Sequence, residues 1–272
     1  MIDIKDLSFK YSGSHHEVFN GLNLTFEKNR IYGLLGKNGM GKSTLLYLIA
    51  GLLRPKSGSV SIDGVNSVKR LPEMLQDIFI VPEEYEMPKL SLRQFIQMNK
   101  DFYPNFNEEV LRKCLIDFEM PSEPNLKEMS MGQKKKVYMS FALAAGTRIL
   151  LMDEPTNGLD IPSKSLFRKV VTHNMTEDTT LIISTHQVHD VESLLDYIVL
   201  IDKSQIILNS SVSDITDKYR FSFRQPGDNE GVLYAEPSLQ GNAAISLRKK
   251  EEEETQINLE LLFNAATKGR LK

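Results

Sequence analysis

At 272 residues the chain has room for one large α/β domain with a small appendage, or for two modest domains. Its 33 Lys plus Arg stand against 36 Asp plus Glu, and a net charge of −3 excludes the basic footprint of a nucleic-acid binder, so no nucleic-acid partner is expected. Early charges argue against a secretory signal, no apolar run nears the ~20 residues of a membrane span, and the one cysteine, Cys114, has helical spacing with Leu111, Leu115 and Phe118, so a cytosolic protein with a core cysteine is expected.

Residues 2–9 and 18–27 alternate apolar and polar positions, the pattern of two paired antiparallel strands. The turn-rich loop between them begins at Tyr11, which reads either as a packed edge aromatic or as a ring that stacks on a purine. A short buried strand at 31–35 leads into Gly-Lys-Asn-Gly-Met-Gly-Lys-Ser-Thr, residues 36–44, and an apolar run at 45–53 suits a helix. The nonapeptide fits the phosphate-loop pattern G-x-x-x-x-G-K-[ST] in its required strand–turn–helix setting. Glycines let backbone N–H groups turn inward around an anion, and the helix N-terminus adds partial positive charge. Gly36, Asn38, Gly39, Gly41, Lys42, Ser43 and Thr44 are therefore the candidate nucleotide contacts. Lys42 would neutralise the β- and γ-phosphates, and the Ser43 hydroxyl would ligand Mg²⁺.

After a break at 55–58, strands are predicted at 60–62 and 78–81. From about 84 to 146 the pattern is helical, with Ser91 capping 92–100, Asn107 opening a helix to 118, and Ser130 starting one that runs to about 145. The α/β rhythm then returns, with strands at 148–152, 181–184, 197–202 and 205–209 and helices at 163–174 and 190–195. This alternation predicts a mainly parallel sheet covered on both faces. Beyond 210 the texture changes to a short helix at 214–219, strands at 219–224, 232–236 and 243–248, a turn at Pro226-Gly-Asp-Asn, and an amphipathic helix at 259–266. The run Arg248-Lys-Lys followed by Glu251–Glu254 reads as a solvated turn, and Lys134-Lys-Lys136 either as a solvated basic helix face, the favoured reading, or as an addition to the positive field at the start of its helix.

Asp153 and Glu154 end an apolar strand, where a phosphate-loop protein places a carboxylate facing Mg²⁺. Asp153 would hold the metal, and Glu154 would orient and deprotonate the attacking water. His186, ending the next strand, reaches the same sheet edge and can sense the γ-phosphate, whereas His15, His16, His173 and His189 read as surface residues.

These elements together resemble the ATPase subunit of an ATP-binding cassette (ABC) transporter over about residues 1–210. Residues 36–43 resemble its Walker A loop, 149–154 its Walker B strand, Met129-Ser-Met-Gly-Gln133 its signature, Gly158-Leu-Asp160 its D-loop, and His186 its switch histidine. The resemblance favours the adenine-stacking role for Tyr11. It implies ATP and Mg²⁺ as cofactors and Glu154 and His186 as catalytic residues. A second ATPase subunit would bring Ser130, Gly132 and Gln133 to the bound γ-phosphate, and integral membrane permease subunits would hold the protein at the inner face of the cell membrane. The implied fold is an α/β phosphate-loop core with an N-terminal antiparallel β subdomain and a helical insertion at about 84–146, extended by an α+β appendage over 211–272.

Two positions depart from the family pattern. Met131 stands where the first signature glycine is usual, and Glu83 stands where a Mg²⁺-liganding glutamine is usual. Glu83 is either a metal ligand beside Ser43 and Asp153 or a solvated residue on an outward loop. Residues 102–106, the signature and the appendage are similar to exporter ATPases. The alternative is a soluble ABC ATPase in a non-transport process, although the second cassette or long coiled coil usual there is missing. Residues 211–272 read as a regulatory domain or a dimer-bracing flap.

Overall fold

Among the described residues the strands form three sheets. The computed structural model describes residues 1–121, 123–225, 227–228 and 230–271. Strands β1 (Ile2–Phe9) and β2 (Phe19–Phe26) pair antiparallel with Ile4 opposite Leu24, as their alternation predicts. The chain then enters the central sheet through β3 (Ile31–Leu35) and turns into α1 (Lys42–Ile49). The helix begins three residues before the predicted start because Lys42–Thr44 form its first turn, and it ends early because Gly51 turns to φ +68°. β4 (Ser57–Ile62) and β5 (Val65–Asn66) return to complete an antiparallel sheet of order β2-β1-β4-β5. A single-turn helix, α2 (Pro72–Leu75), leads to β6 (Ile78–Val81).

The helical segment contains α3 (Leu92–Asn99), α4 (Glu108–Asp117) and α5 (Met131–Ala144). Ser91 and Ser130 start α3 and α5 with full capping boxes, and Asn107 caps α4, so local polar chemistry sets all three starts where expected. Phe95, Leu111, Cys114, Leu115 and Phe141 meet in one buried cluster. Burial pushes the Cys114 thiol up to about 12, which makes it an inert core side chain.

The second α/β half supplies β7 (Ile149–Asp153), α6 (Ile161–Asn174), β8 (Thr180–Thr185), β9 (Tyr197–Asp202) and β10 (Gln205–Ser211). The central sheet has the order β10-β9-β3-β8-β7-β6 and is parallel except for edge strand β10. Every residue of β7 and β8 is buried. Leu150 and Met152 face one apolar cluster and Ile149 and Leu151 the other, so an unbroken apolar run serves both faces. Each such side chain contributes about 1.5–3 kcal/mol. The helix predicted at 190–195 is instead two 3₁₀ turns, Val188–Asp190 and Glu192–Leu194. Asp190 is drawn to Lys164 (2.7 Å) and Thr156 (2.8 Å), and Val191 leaves helical geometry between the turns.

Beyond β10, α7 (Val212–Lys218) leads to a small antiparallel sheet built from β11 (Tyr219–Arg224), β12 (Val232–Ser238) and β13 (Gly241–Leu247) in the order β11-β13-β12. Pro226 and Asn229 of the predicted turn lie outside the described residues. The final helix, α8 (Leu259–Thr267), packs on this sheet and on the segment after β8, where the Glu192 carboxylate accepts from the Leu259 N–H at 3.2 Å. The charge run at 248–254 is only partly solvated. Arg248 donates to the carbonyls of Thr216 and Glu252, and Glu252 accepts from Arg220 at 2.8 Å, so two charges of the run clamp the unit together.

Candidate functional site

The carboxyl ends of β3, β7 and β8 lie side by side, with Leu35 registered against Thr185 and Asp153 against Ser184. Open parallel sheets bind ligands at this edge. From β3 the chain turns at Gly36, where any Cβ would press on the Ile201 carbonyl at 2.6 Å. Gly41 takes φ +94°, and its Cβ would meet Phe19 at 2.7 Å. The loop between them, with Asn38 and Gly39 exposed, ends on an α1 N-terminus that no side chain caps. Its first-turn N–H groups therefore stay free for an anion.

Lys42 is buried and folds back onto this loop, donating to the Gly36 carbonyl at 2.8 Å and the Lys37 carbonyl at 3.3 Å. Burial pulls its ammonium below the usual lysine range, against the opposing charges of Glu154 and Asp153. Thr44 is buried and shares a 2.9 Å hydrogen bond with the Tyr11 hydroxyl. Tyr11 meets Phe9 edge-on and keeps 43% of its surface exposed, so an edge contact and an accessible ring coexist.

Across the cleft, Asp153 is buried, and its Oδ1 accepts from the Ser184 hydroxyl. Among the described residues its buried Oδ2 has no geometric hydrogen-bond partner, and the Ser43 hydroxyl bears on the same carboxylate. Burial raises this carboxyl above the usual range, with Ser184 and Ser43 opposing. An orphaned carboxylate oxygen beside a hydroxyl, at the mouth of an anion cradle, is a donor set suited to a hard divalent cation such as Mg²⁺.

Glu154 sits at φ +43°, a left-handed backbone that non-glycine residues seldom adopt. Its N–H donates to the Ser184 carbonyl at 2.8 Å. Its buried carboxylate accepts from the Thr185 hydroxyl at 2.8 Å and the His186 N–H at 3.0 Å. His186 Nδ1 stands 2.7 Å from Oε1, and Lys42 Nζ stands 3.7 Å from it. The structure thus brings Lys42, Ser43, Asp153, Glu154 and His186 to one sheet edge.

Glu83 is exposed, yet it is tied back to the turn that follows Glu154. Its Oε1 accepts from the Asn157 amide at 2.7 Å, and its charge bears on Lys42 and Lys135. Ser130, Gly132 and Gln133 lie elsewhere, at the N-terminus of α5, where Ser130 and Gln133 hold each other in the capping box. Met131 projects outward at 65% exposure, so a side chain fits where the pattern has glycine.

The lysine run at 134–136 requires correction. Lys135 is 6% exposed and donates to the Glu154 carbonyl at 2.8 Å and the Asn157 carbonyl at 2.9 Å. The available sign was its spacing: Lys135 falls four and seven residues before Met139 and Ala142, both buried on α5. Thr185 and Asn157 were also missed, since nothing local marks a threonine that serves a residue 31 positions away or an asparagine that serves one 74 positions away.

The ABC transporter family profile matches residues 19–157. NatA of Bacillus subtilis, an ABC transporter ATP-binding protein, is 30% identical over 230 residues, covering 81% of this chain and 93% of that one. The bacitracin transport ATP-binding protein BcrA of Bacillus licheniformis is 29% identical, covering 87% and 78% of the two chains. The methionine import ATP-binding protein MetN of Carboxydothermus hydrogenoformans is 30% identical, covering 79% and 67%. A solved ATP-binding subunit of an ABC transporter shares the fold with a TM-score of 0.69 at 23% identity, over 79% of this chain and 91% of that one. On the profile match and the length shared with NatA, the chain belongs to the ABC transporter family as an ATP-binding subunit.

Proposed function

We propose that this chain is the Mg²⁺-dependent ATPase of an exporter and drives separate integral membrane permease subunits from the inner face of the cell membrane. The observation that carries the reading is Glu154, a buried carboxylate gripped by Thr185, His186 and Lys42, one residue after Asp153 with its unpartnered oxygen. Tyr11 offers an exposed ring for adenine, and the 36–44 loop with the start of α1 surrounds the β- and γ-phosphates. Lys42 moves from the loop carbonyls to the phosphate oxygens, which frees Glu154 from its nearest cation. Glu154 then takes the proton of the attacking water, and His186 holds the carboxylate and meets the γ-phosphate. Ser43 and Asp153 are the residues that would hold Mg²⁺. The metal, when bound, neutralises charge on the β- and γ-phosphate oxygens.

The site is open towards solvent, and we assign its closure to a second ATPase subunit presenting Ser130, Gly132 and Gln133 from the start of α5. In this reading residues 1–210 form the ATPase domain with a helical subdomain at about 84–146, and 211–272 form an accessory unit. Relatives named for bacitracin transport and for methionine import point both ways on direction. Similarity of residues 102–106 and of the appendage to exporter ATPases favours export.

Glu154→Gln tests the central role, because the amide keeps the shape and loses the base. Turnover should fall by ~10²–10⁴ while ATP still binds and an ATP-bound dimer accumulates on size exclusion. Near-normal turnover would move the base elsewhere. Mixing Lys42→Ala with Ser130→Arg chains, each inactive alone, should restore some activity through one intact composite site. Direction is read in cells lacking the chain, where loss of an exporter raises sensitivity to its cargo and loss of an importer creates a need for it.

A further inference from the structure

Lys135 is a buried ammonium whose hydrogen-bond partners are neutral carbonyls, those of Glu154 and Asn157. A desolvated charge is costly unless opposite charge stands close. The carboxylates acting on it are Glu83, Glu154 and Asp153, and Glu83 acts most strongly. Glu83, an exposed residue, is joined to the same turn, because the side-chain amide of Asn157, three residues after Glu154, donates to it at 2.7 Å. Asn157 is therefore held twice, by its carbonyl on Lys135 and by its amide on Glu83. Glu154 lies at the head of this turn in a left-handed backbone, a conformation that persists only when its surroundings over-determine it.

We infer that Glu83 and Lys135 are paired positioning residues for Glu154: Lys135 fixes the 154–157 turn through two carbonyls, while Glu83 fixes it through the Asn157 amide and balances the buried ammonium. The two unusual charges of this chain, a glutamate where the resembled family has an amide and a lysine inside the core, compensate each other. Glu83 carries its charge for Lys135 and is not needed for the metal. This rests on Glu154 being the base.

The test is a neutralisation cycle in the full chain, with Glu83→Gln, Lys135→Gln and the double variant. Glutamine at 83 can still accept from Asn157, and glutamine at 135 keeps amide donors on a side chain one bond shorter than lysine, so the double variant removes both charges while leaving polar groups at both positions. Each single change should lower kcat about tenfold with KM and the Kd of a non-hydrolysed ATP analogue little changed, and the double variant should regain most of kcat. The nucleotide-free Tm should follow the same non-additive pattern. If Lys135→Gln does not fold alone, recovery of a folded chain on adding Glu83→Gln supports the pairing and continued failure overturns it. Additive losses in kcat and Tm overturn it, as does a raised Mg²⁺ requirement confined to Glu83→Gln. Glu154→Gln measured alongside separates the two readings: near-normal turnover there removes the base assignment, whereas additive losses beside an inactive Glu154→Gln remove the pairing alone.

Discussion

The two ends of the central sheet both gather charge, and they treat it in opposite ways. At the amino end, beside the first residue of β7, Asp63 takes the N-terminal ammonium and Lys28, each at 2.8 Å, and Arg148 at 3.3 Å. Arg148 also reaches Asp77 at 2.5 Å. These groups are partly solvated, and every carboxylate in the set has a cation. At the carboxyl end Lys42, Lys135, Asp153 and Glu154 are buried, Lys42 rests on backbone carbonyls, and one oxygen of Asp153 makes no geometric hydrogen bond among the described residues. Paired surface charge costs the fold little and stabilises it little. Buried charge left short of partners works against the fold, and a chain keeps it where a ligand is to complete the pairing.

The largest expected effect breaks this contrast at Asp153. Asp153→Asn keeps an oxygen for the Ser184 hydroxyl and removes the unpartnered charge. Hydrolysis should fall at least ~10²-fold if the carboxylate holds the metal. Nucleotide-free stability should rise, by about 1 kcal/mol, because a buried charge without a partner is relieved. Activity assays and urea unfolding without nucleotide check the pair of results. A less stable Asp153→Asn chain would mean that the carboxylate is already satisfied and that the two ends of the sheet do not differ in kind.

Arg148→Ala probes the other end. Arg148 is about half exposed and bridges Asp63 to Asp77, so its removal should lower stability by no more than about 1 kcal/mol and leave turnover unchanged. In ~1 M salt, where screening acts within ~3 Å, the difference from wild type should largely vanish. A loss that persists in high salt would mean that the guanidinium packs rather than pairs.

The sequence made the carboxyl end legible and left the amino end silent for a physical reason. A phosphate cradle needs glycine at fixed spacing, a lysine and a hydroxyl within nine residues, so Gly36 to Thr44 is a local object. Asp153, Glu154 and His186 are legible because each ends or directly follows an apolar strand. Asp63, Asp77 and Arg148 meet only after three separate elements have folded, so no window of sequence contains their relation. Lys135 was misread for a related reason: a run of three lysines looks solvated unless the face that packs is known, and α5 is enclosed around most of its length. Helix starts were read closely because Ser91, Asn107 and Ser130 act on their own next turn. The 190–195 segment was not, since Asp190 answers to Lys164 on α6 rather than to its neighbours.

The smallest expected effect is a dependence on pH carried by Asp63 at the amino end. Burial would raise the Asp63 carboxyl, but hydrogen bonds from Lys28 and the N-terminal ammonium outweigh it and hold the group down at about 2, below its ordinary 3.8. A carboxylate depressed in the folded chain contributes stability that is full above its unfolded value. That contribution declines as pH falls through the window from about 3.8 to about 2, because the unfolded chain takes up the proton first. With Asp63 a third exposed, solvent screening reduces the effect to roughly 1 kcal/mol. Asp63→Asn lacks the group, and the other acids titrate alike in both proteins. The Tm difference between wild type and Asp63→Asn should therefore stay constant between pH ~5 and pH ~7, below the range where an α-amino group loses its proton, and close progressively below pH ~4. A difference that persists unchanged to pH ~2 would mean that Asp63 acts through the shape of its turn, where it sits at φ +49° before Gly64, and not through its charge.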